Sequence, residues 1–283
     1  MKTRLAACSA LKPVLLAVLS LSFAGCISPR SNTIVATPME TCDDAAPAPA
    51  QIRVASYNIK SASHNGDRMQ DLAEVLRGLD ADVVGLQEVQ THDIDQATAL
   101  AKMLGYKYHV FAAAIRKTAG DYGVAILSRI PFEKVERVRL DYPIASESRV
   151  AIDAVACVGR KRMHFVNTHV DFLPLANTGN TTVLARYLRA EKAESVVLMG
   201  DLNATPREET IKRLTDLGLR DLFAEKLAEA PESFTFPSDR PDRRIDYFLV
   251  DASLVDRARS SHVPVTQASD HRPIITTFDL NGW

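Results

Sequence analysis

The chain has 283 residues, 46% of them apolar and 24% charged, with 34 basic against 35 acidic side chains. That composition belongs to a globular protein and excludes a disordered, collagen-like or polytopic membrane chain. Near-neutral charge argues against an obligate nucleic-acid coat protein, but it leaves room for a nuclease, which needs only a local positive patch and must release its product.

The first twelve residues carry Lys2, Arg4 and Lys12 and no acid, and residues 14–25 (VLLAVLSLSFAG) form an apolar run. These are the n-region and h-region of a secretory signal. The run is too short for a transmembrane helix, which needs about 20 apolar residues. It ends in Phe23-Ala24-Gly25-Cys26, which resembles a bacterial lipobox, with Phe23 where that motif usually has Leu. The expectation is a signal peptide over 1–25, cut before Cys26, with Cys26 lipidated and serving as a membrane anchor. Ordinary cleavage, giving a secreted or periplasmic protein, is the alternative. Ile27 follows Cys26 in place of the aspartate associated with inner-membrane retention in enteric bacteria, so the outer membrane of a bacterial envelope is favoured. Cleavage also removes three basic groups and leaves a mildly acidic chain. Residues 26–50 show no apolar period and end in an Ala-Pro run, the pattern of a flexible tether. Export permits a disulfide between Cys42 and Cys157, although a buried free Cys157 is the commoner outcome and the expectation here.

Residues 51–283 read as one catalytic domain. A strand is expected over 52–59, then a helix capped by Asp67 with Met69, Leu72, Leu76 and Leu79 on one face. Short strands follow at 83–86, 106–111, 123–128 and 133–140, with a helix over 94–105 and a hairpin at 149–168 turning on Gly159-Arg160-Lys161-Arg162. The rest alternates: helix 180–193, strand 196–199, helix 207–217, and strands at 245–250 and 274–278. Many strands, with helices in at least four separate places, suggest two sheets packed face to face with helices outside.

The apolar strand patterns repeatedly stop in an amide, a carboxylate or an imidazole: Tyr57-Asn58, Gln87-Glu88, Asn167-Thr168-His169-Val170-Asp171, Asp201-Leu202-Asn203, Asp246-Tyr247 and Ser269-Asp270-His271. Side chains two apart on a strand share a face, which pairs Asp201 with Asn203 and His169 with Asp171. Singly, each has a simpler reading: Asp201 as a helix cap, Asp270-His271 as a solvated turn, Glu88 as an exposed strand end. Six such clusters in one domain point to shared chemistry, the metal-assisted attack of water on a phosphate ester. Hard oxygen donors such as Glu88 and the Asn58 amide suit magnesium or manganese, and no Cys/His set has zinc spacing. A carboxylate would align or deprotonate the water, and an imidazolium would neutralise charge on the phosphoryl oxygens. His64, His92, His109, His164 and His262 have no comparable carboxylate context. There is no G-x-S-x-G elbow, P-loop or G-x-G-x-x-G turn.

The ordered set Y-N-I, Q-E-V, Y-G-V-A-I-L-S-R, N-T-H-V-D, G-D-L-N-A-T-P, R-R-I-D-Y-F-L-V and S-D-H-R-P-I resembles the endonuclease/exonuclease/phosphatase superfamily over about residues 52–280. The resemblance implies a four-layer αββα sandwich, an α/β fold of two mixed sheets flanked by helices. It implies Glu88 as the principal ligand of Mg2+ or Mn2+, assisted by Asn58 and Asp270. Asp201 would act on the water, and Asn203 would hold the water or the phosphate. His271 would contact the phosphate with Asp246 on its other nitrogen, and His169 would hold a phosphate oxygen from across the cleft. Tyr122, Arg149, Asp171 and Arg244 are further candidates for substrate contact, each with a structural alternative: packing for Tyr122, an ion pair for Arg149, a rim carboxylate for Asp171, a solvated arginine for Arg244.

The implied function is hydrolysis of a phosphoester, either a nucleic acid or a small phosphodiester, by a monomer with no obligate protein partner. A phosphomonoesterase on sugar or lipid headgroup phosphates is the alternative, and a catalytically silent binder of phosphorylated ligands is a third reading that the intact set of polar residues speaks against. No aromatic-rich loop able to enter a bilayer stands out in the sequence.

Overall fold

The strand patterns assemble into two six-stranded mixed sheets, each carrying a pair of helices on its outer surface. The structure is a computed structural model and describes residues 41–42, 47–60, 66–117, 120–143, 145, 147–224 and 230–283, with the side chains of residues 66, 67 and 117 excluded. The expected signal segment, Cys26 and His64 lie outside the described residues, and the first helix spans Gly66–Leu79, so Asp67 stands inside its first turn and not before it as a cap.

In spatial order the first sheet is β11 (Ala258–His262), β12 (Ile274–Asp279), β1 (Gln51–Asn58), β2 (Val83–Gln90), β4 (Gly120–Ser128) and β3 (Tyr108–Lys117). The second is β5 (Phe132–Arg139), β6 (Val150–Val158), β7 (Lys161–His169), β8 (Val196–Asp201), β10 (Asp246–Val250) and β9 (Arg220–Asp221). Each sheet has one parallel pair near its centre, β1 with β2 and β7 with β8, and the other pairings are antiparallel. Strands covered on both faces should read as unbroken apolar runs, and β8, VVLMGD, is buried at every position.

Three apolar layers hold this together. Between the sheets Val54, Val110, Ile126, Ile152, Phe165 and Phe248 form the central core. Outside the first sheet, Leu72 and Leu76 of α1 (Gly66–Leu79) and Leu100 of α2 (Gln96–Leu104) cover Ala55 and Leu86. Outside the second, Leu184 and Leu188 of α3 (Pro174–Glu191) and Ile211 and Leu214 of α4 (Glu209–Thr215) cover Val166, Leu198 and Leu249. The layers are therefore helix, sheet, sheet, helix, as expected. Each fully buried Leu contributes about 1.5–3 kcal/mol.

Three expectations need correction. Helix α3 begins at Pro174 rather than near 180. Proline suits the first helical turn because the missing N–H is unpaired there anyway, and the inward face of the first turns is polar (Asn177, Asn180, Thr181), which hides the apolar period. Strands β9 and β11 are too short or too polar to show in the sequence. Cys157 is not free: it is bonded to Cys42, 115 residues away. The segment read as tether is thus tied to β6 at Cys42, and Ala48 lies against Gly159.

Candidate active site

The C-terminal ends of the two parallel pairs meet at one end of the sandwich, the place where open α/β sheets present ligand-binding groups. Asn58 at the end of β1 donates through Nδ2 to Asp201 Oδ2 at the end of β8, 2.9 Å away. Asp201 is registered opposite His169 on β7 and Asp246 on β10, so three polar groups share one row across the second sheet. Gly200 allows this close packing, since a Cβ there would sit 2.0 Å from the Thr168 carbonyl oxygen and its φ is +139°. Glu88 lies where the β2–β4 ladder shifts register and has φ 58°, so a bulge turns its carboxylate out of the strand pattern toward the cleft.

Asp246 Oδ2 lies 3.0 Å from His271 Nδ1, and His271 Nε2 lies 3.7 Å from Asp201 Oδ2. All three residues are buried, and Phe236 covers the imidazole with ring centroids 4.8 Å apart. Burial pushes the Asp201 carboxyl up to about 7, although the His271 cation pulls the other way. Burial opposes a charged His271, but Asp246 and Asp201 outweigh it and raise the ring to about 9. Near neutrality His271 is therefore held charged between the Asp246 and Asp201 carboxyl groups.

His169 faces this pair from β7. Its Nδ1 is 3.3 Å from Arg149 and 3.4 Å from the Tyr122 hydroxyl, and its Nε2 is 3.1 Å from Asn203 Nδ2 and 3.5 Å from Asp201. Burial, then the positive charges of Arg149 and His271, hold it well below the usual histidine range, so it is neutral. Arg149 also pairs with Glu147 at 3.3 Å and lines the cleft.

The residues expected at a metal stand together: Asn58 Nδ2 is 3.2 Å from Glu88 Oε1, and Glu88 and Asp270 line the same cleft of about 530 Å³. The Glu88 and Asp270 carboxylates are hard oxygen donors of the kind a divalent cation takes, while Asn58 turns its amide nitrogen to Glu88 and accepts the Lys60 N–H at Oδ1, and the Lys60 ammonium rests 2.8 Å from Asp270 Oδ2. Asp201, Asp246 and His271 also offer ligand atoms within 4.8 Å of one another. The approaches just described already direct those atoms at each other.

Two of the weaker candidates are elsewhere. Asp171 is buried and accepts from the backbone N–H of Leu173 at 2.8 Å, shaping the entry to α3 rather than a rim. Arg244 is buried between Phe223 and Tyr247 and makes a bidentate pair with Asp221 on β9, at 3.0 and 2.6 Å. Of the neighbouring arginines, Arg243 reaches the cleft, stacked 4.7 Å over Phe236.

Several supporting contacts were not anticipated from the sequence. Gln87 donates to Asn167 Oδ1 at 2.7 Å, and Asn167 donates to the carbonyls of Leu86 and Ala125, which stitches the two sheets together beneath the cleft. Asn177 on α3 donates to the carbonyls of Asp171 and Leu202, 2.8 Å each, and accepts from Thr210. It thereby joins the loop after His169 to the loop after Asp201. Ser269 donates to the Asn58 carbonyl at 2.7 Å and ties the Asp270-His271 turn to β1. The missing aromatic loop has a partial counterpart: Phe172 lines the cleft and is 60% exposed, and Leu175 (70%) lies one helical turn from Gly179, on which the Tyr142 ring packs.

A two-sheet sandwich with this polar row at its strand ends has the architecture of a phosphoester hydrolase. Residues 55–271 match the endonuclease/exonuclease/phosphatase family, and the chain belongs to that family. It is 24% identical over 267 residues to exodeoxyribonuclease III of Haemophilus influenzae, covering 75% of this chain and 95% of that protein. Among solved structures, the mannosyl-6-phosphatase Bt3783 of Bacteroides thetaiotaomicron superposes with a TM-score of 0.66 at 19% identity, covering 80% of this chain and 98% of the other. Truncated TDP2 of Caenorhabditis elegans superposes with 0.64 at 21% identity, covering 81% and 97%. These likenesses establish a shared fold. Enzymes of the family generally depend on a divalent metal, in keeping with the oxygen donors described above.

Proposed function

We propose that this protein is an exported phosphodiesterase that requires magnesium or manganese and acts on nucleic acid or a small phosphodiester. The observation that carries the reading is the buried row Asp246, His271 and Asp201, with neutral His169 opposite. In this mechanism Asp201 orients the attacking water and accepts its proton, a role suited to a carboxyl raised to about 7. Asn203 and His169 fix the phosphate. His271, kept cationic by Asp246, donates toward the phosphoryl oxygens as their charge grows. Glu88, with Asn58 and Asp270 beside it, would hold the ion, which would supply Lewis acidity at the phosphate.

The Cys42–Cys157 disulfide supports an oxidising compartment, and with the signal-like N-terminus it favours a bacterial envelope protein anchored through lipid on Cys26, outer membrane preferred. The domain would begin in practice at Cys42 rather than at residue 51. A phosphomonoesterase on sugar or lipid headgroup phosphates is the second reading, the lipid form favoured by exposed Phe172 in the cleft lining.

Turnover of bis(p-nitrophenyl) phosphate tests the first reading: a chelator should abolish it and magnesium or manganese should restore it. A clear preference for p-nitrophenyl phosphate would reject the diesterase in favour of the monoesterase. Cys26→Ala should move the protein from the membrane to the soluble fraction, and unchanged membrane retention would reject the anchor.

A further inference from the structure

The second sheet has another polar cleft, of about 750 Å³, at the end where β7 and β8 begin and therefore opposite the catalytic row. It is lined by Arg160, Lys161 and Arg162 from the β6–β7 turn, Lys192 after α3, Arg257, and Trp283. Lys161 Nζ and the Arg257 guanidinium lie 4.8 and 5.0 Å from the centre of the same indole ring. Two cations are thus gathered on one aromatic surface, each favourable to the ring and unfavourable to the other.

Most of the opposing charge in the cleft is engaged. Glu191 pairs with Lys134, Arg162 with Glu133, and Asp251 accepts from the backbone N–H groups of Ser195 and Ser253. Arg257 donates to the carbonyls of Asp279 and Asn281, which leaves its charge unneutralised. Arg160, Lys161 and Lys192 are exposed and have no carboxylate partner among the described residues, and Glu194 is the one further acid of the lining. The Trp283 indole N–H is buried with no acceptor among the described residues. With Arg160, Lys161, Arg162, Lys192 and Arg257 against Glu191, Glu194 and Asp251, the concave lining keeps an excess of positive charge, which suits an anion with several acceptor oxygens. The catalytic chemistry uses none of these groups.

We propose that this cleft binds a phosphate-bearing anion, either a soluble phosphate ester or an anionic phospholipid headgroup, with Arg160, Lys161, Lys192 and Arg257 as the recognising groups. Because Trp283 is the single tryptophan of the chain, its fluorescence reports this cleft directly, independently of turnover and of the proposed catalytic function.

The full-length protein, treated with chelator, is titrated with glycerol phosphate at constant ionic strength, and separately with phosphatidylcholine vesicles with and without phosphatidylglycerol. A saturable change in Trp283 emission is expected with the phosphate ester, the phosphatidylglycerol vesicles, or both, and the arm that responds identifies the source. Arg160→Ser and Lys192→Asn, exposed changes of which the second keeps a residue tolerant of the left-handed backbone at φ 49°, should each raise the half-saturating concentration about tenfold, the loss of one charge-assisted contact. No response in either arm, a response matched by sodium chloride, or titrations unmoved in both variants would overturn the proposal.

Discussion

Where β7 and β8 finish, Asp201, Asp246, His169 and His271 are buried, and each lies within 4 Å of another member of the group. Where the same strands begin, Arg160, Lys161 and Lys192 stand in solvent without carboxylate partners among the described residues. Withdrawing a charge from water is costly unless neighbours replace the lost solvation, so the buried row can exist only with its geometry fixed in advance. The exposed cluster is under no such constraint, and its charge stays available to whatever arrives. One sheet thus carries preorganised acid–base groups at one end and an adaptable electrostatic surface at the other.

Separate perturbations should keep the two ends apart. The largest effect is expected from Asp201→Asn: kcat should fall about 10²–10⁴-fold, while Trp283 fluorescence is unchanged and thermal stability at pH 8 is unchanged or higher, because a buried carboxylate has been neutralised. Appreciable turnover by this variant would remove the proposed base. The converse is Cys42→Ser with Cys157→Ser, which should lower the unfolding free energy by about 2–5 kcal/mol in denaturant titration yet leave kcat intact. A loss of activity without a loss of stability would show that the far end communicates with the cleft.

Asn177→Ala should sit between these. It strands the Leu202 and Asp171 carbonyls, so a stability loss of about 1–3 kcal/mol is expected together with a lower kcat, and a change confined to KM would rule out its role in positioning the two catalytic loops. The smallest effect concerns pH. His271 is charged below about 9 because Asp246 and Asp201 raise it against burial, so kcat/KM should decline as pH rises through that value. Asp246→Asn removes one raising charge and should draw that decline to lower pH, and an unmoved alkaline limb would dissociate Asp246 from His271.

Three groups of the cleft were legible because an apolar run fixes the strand beside each: such a run leads into Asn58 and Asp201 and away from Asp246. The misplaced residues show where that logic ends. Asp171 was paired with His169 by the two-residue period, but β7 stops at His169 and the chain beyond it turns into α3. Arg244 reads as a solvated arginine because its partner, Asp221, lies on a strand of two residues, too short to leave a pattern. Asn177 and Asn167 are polar residues inside, a role decided by neighbours distant in sequence. The disulfide closes across 115 residues and has no local signature.

That disulfide also sets the route by which mechanical load enters the molecule. A pull along the chain from before Cys42 passes through the sulfur bridge into β6, an interior strand with β5 and β7 on either side. Without the bridge the same pull would arrive at Gln51, the first residue of β1, the strand that ends in Asn58. With it, tension on the segment before Cys42 reaches β6, and through it the ladders to β5 and β7, before it reaches β1.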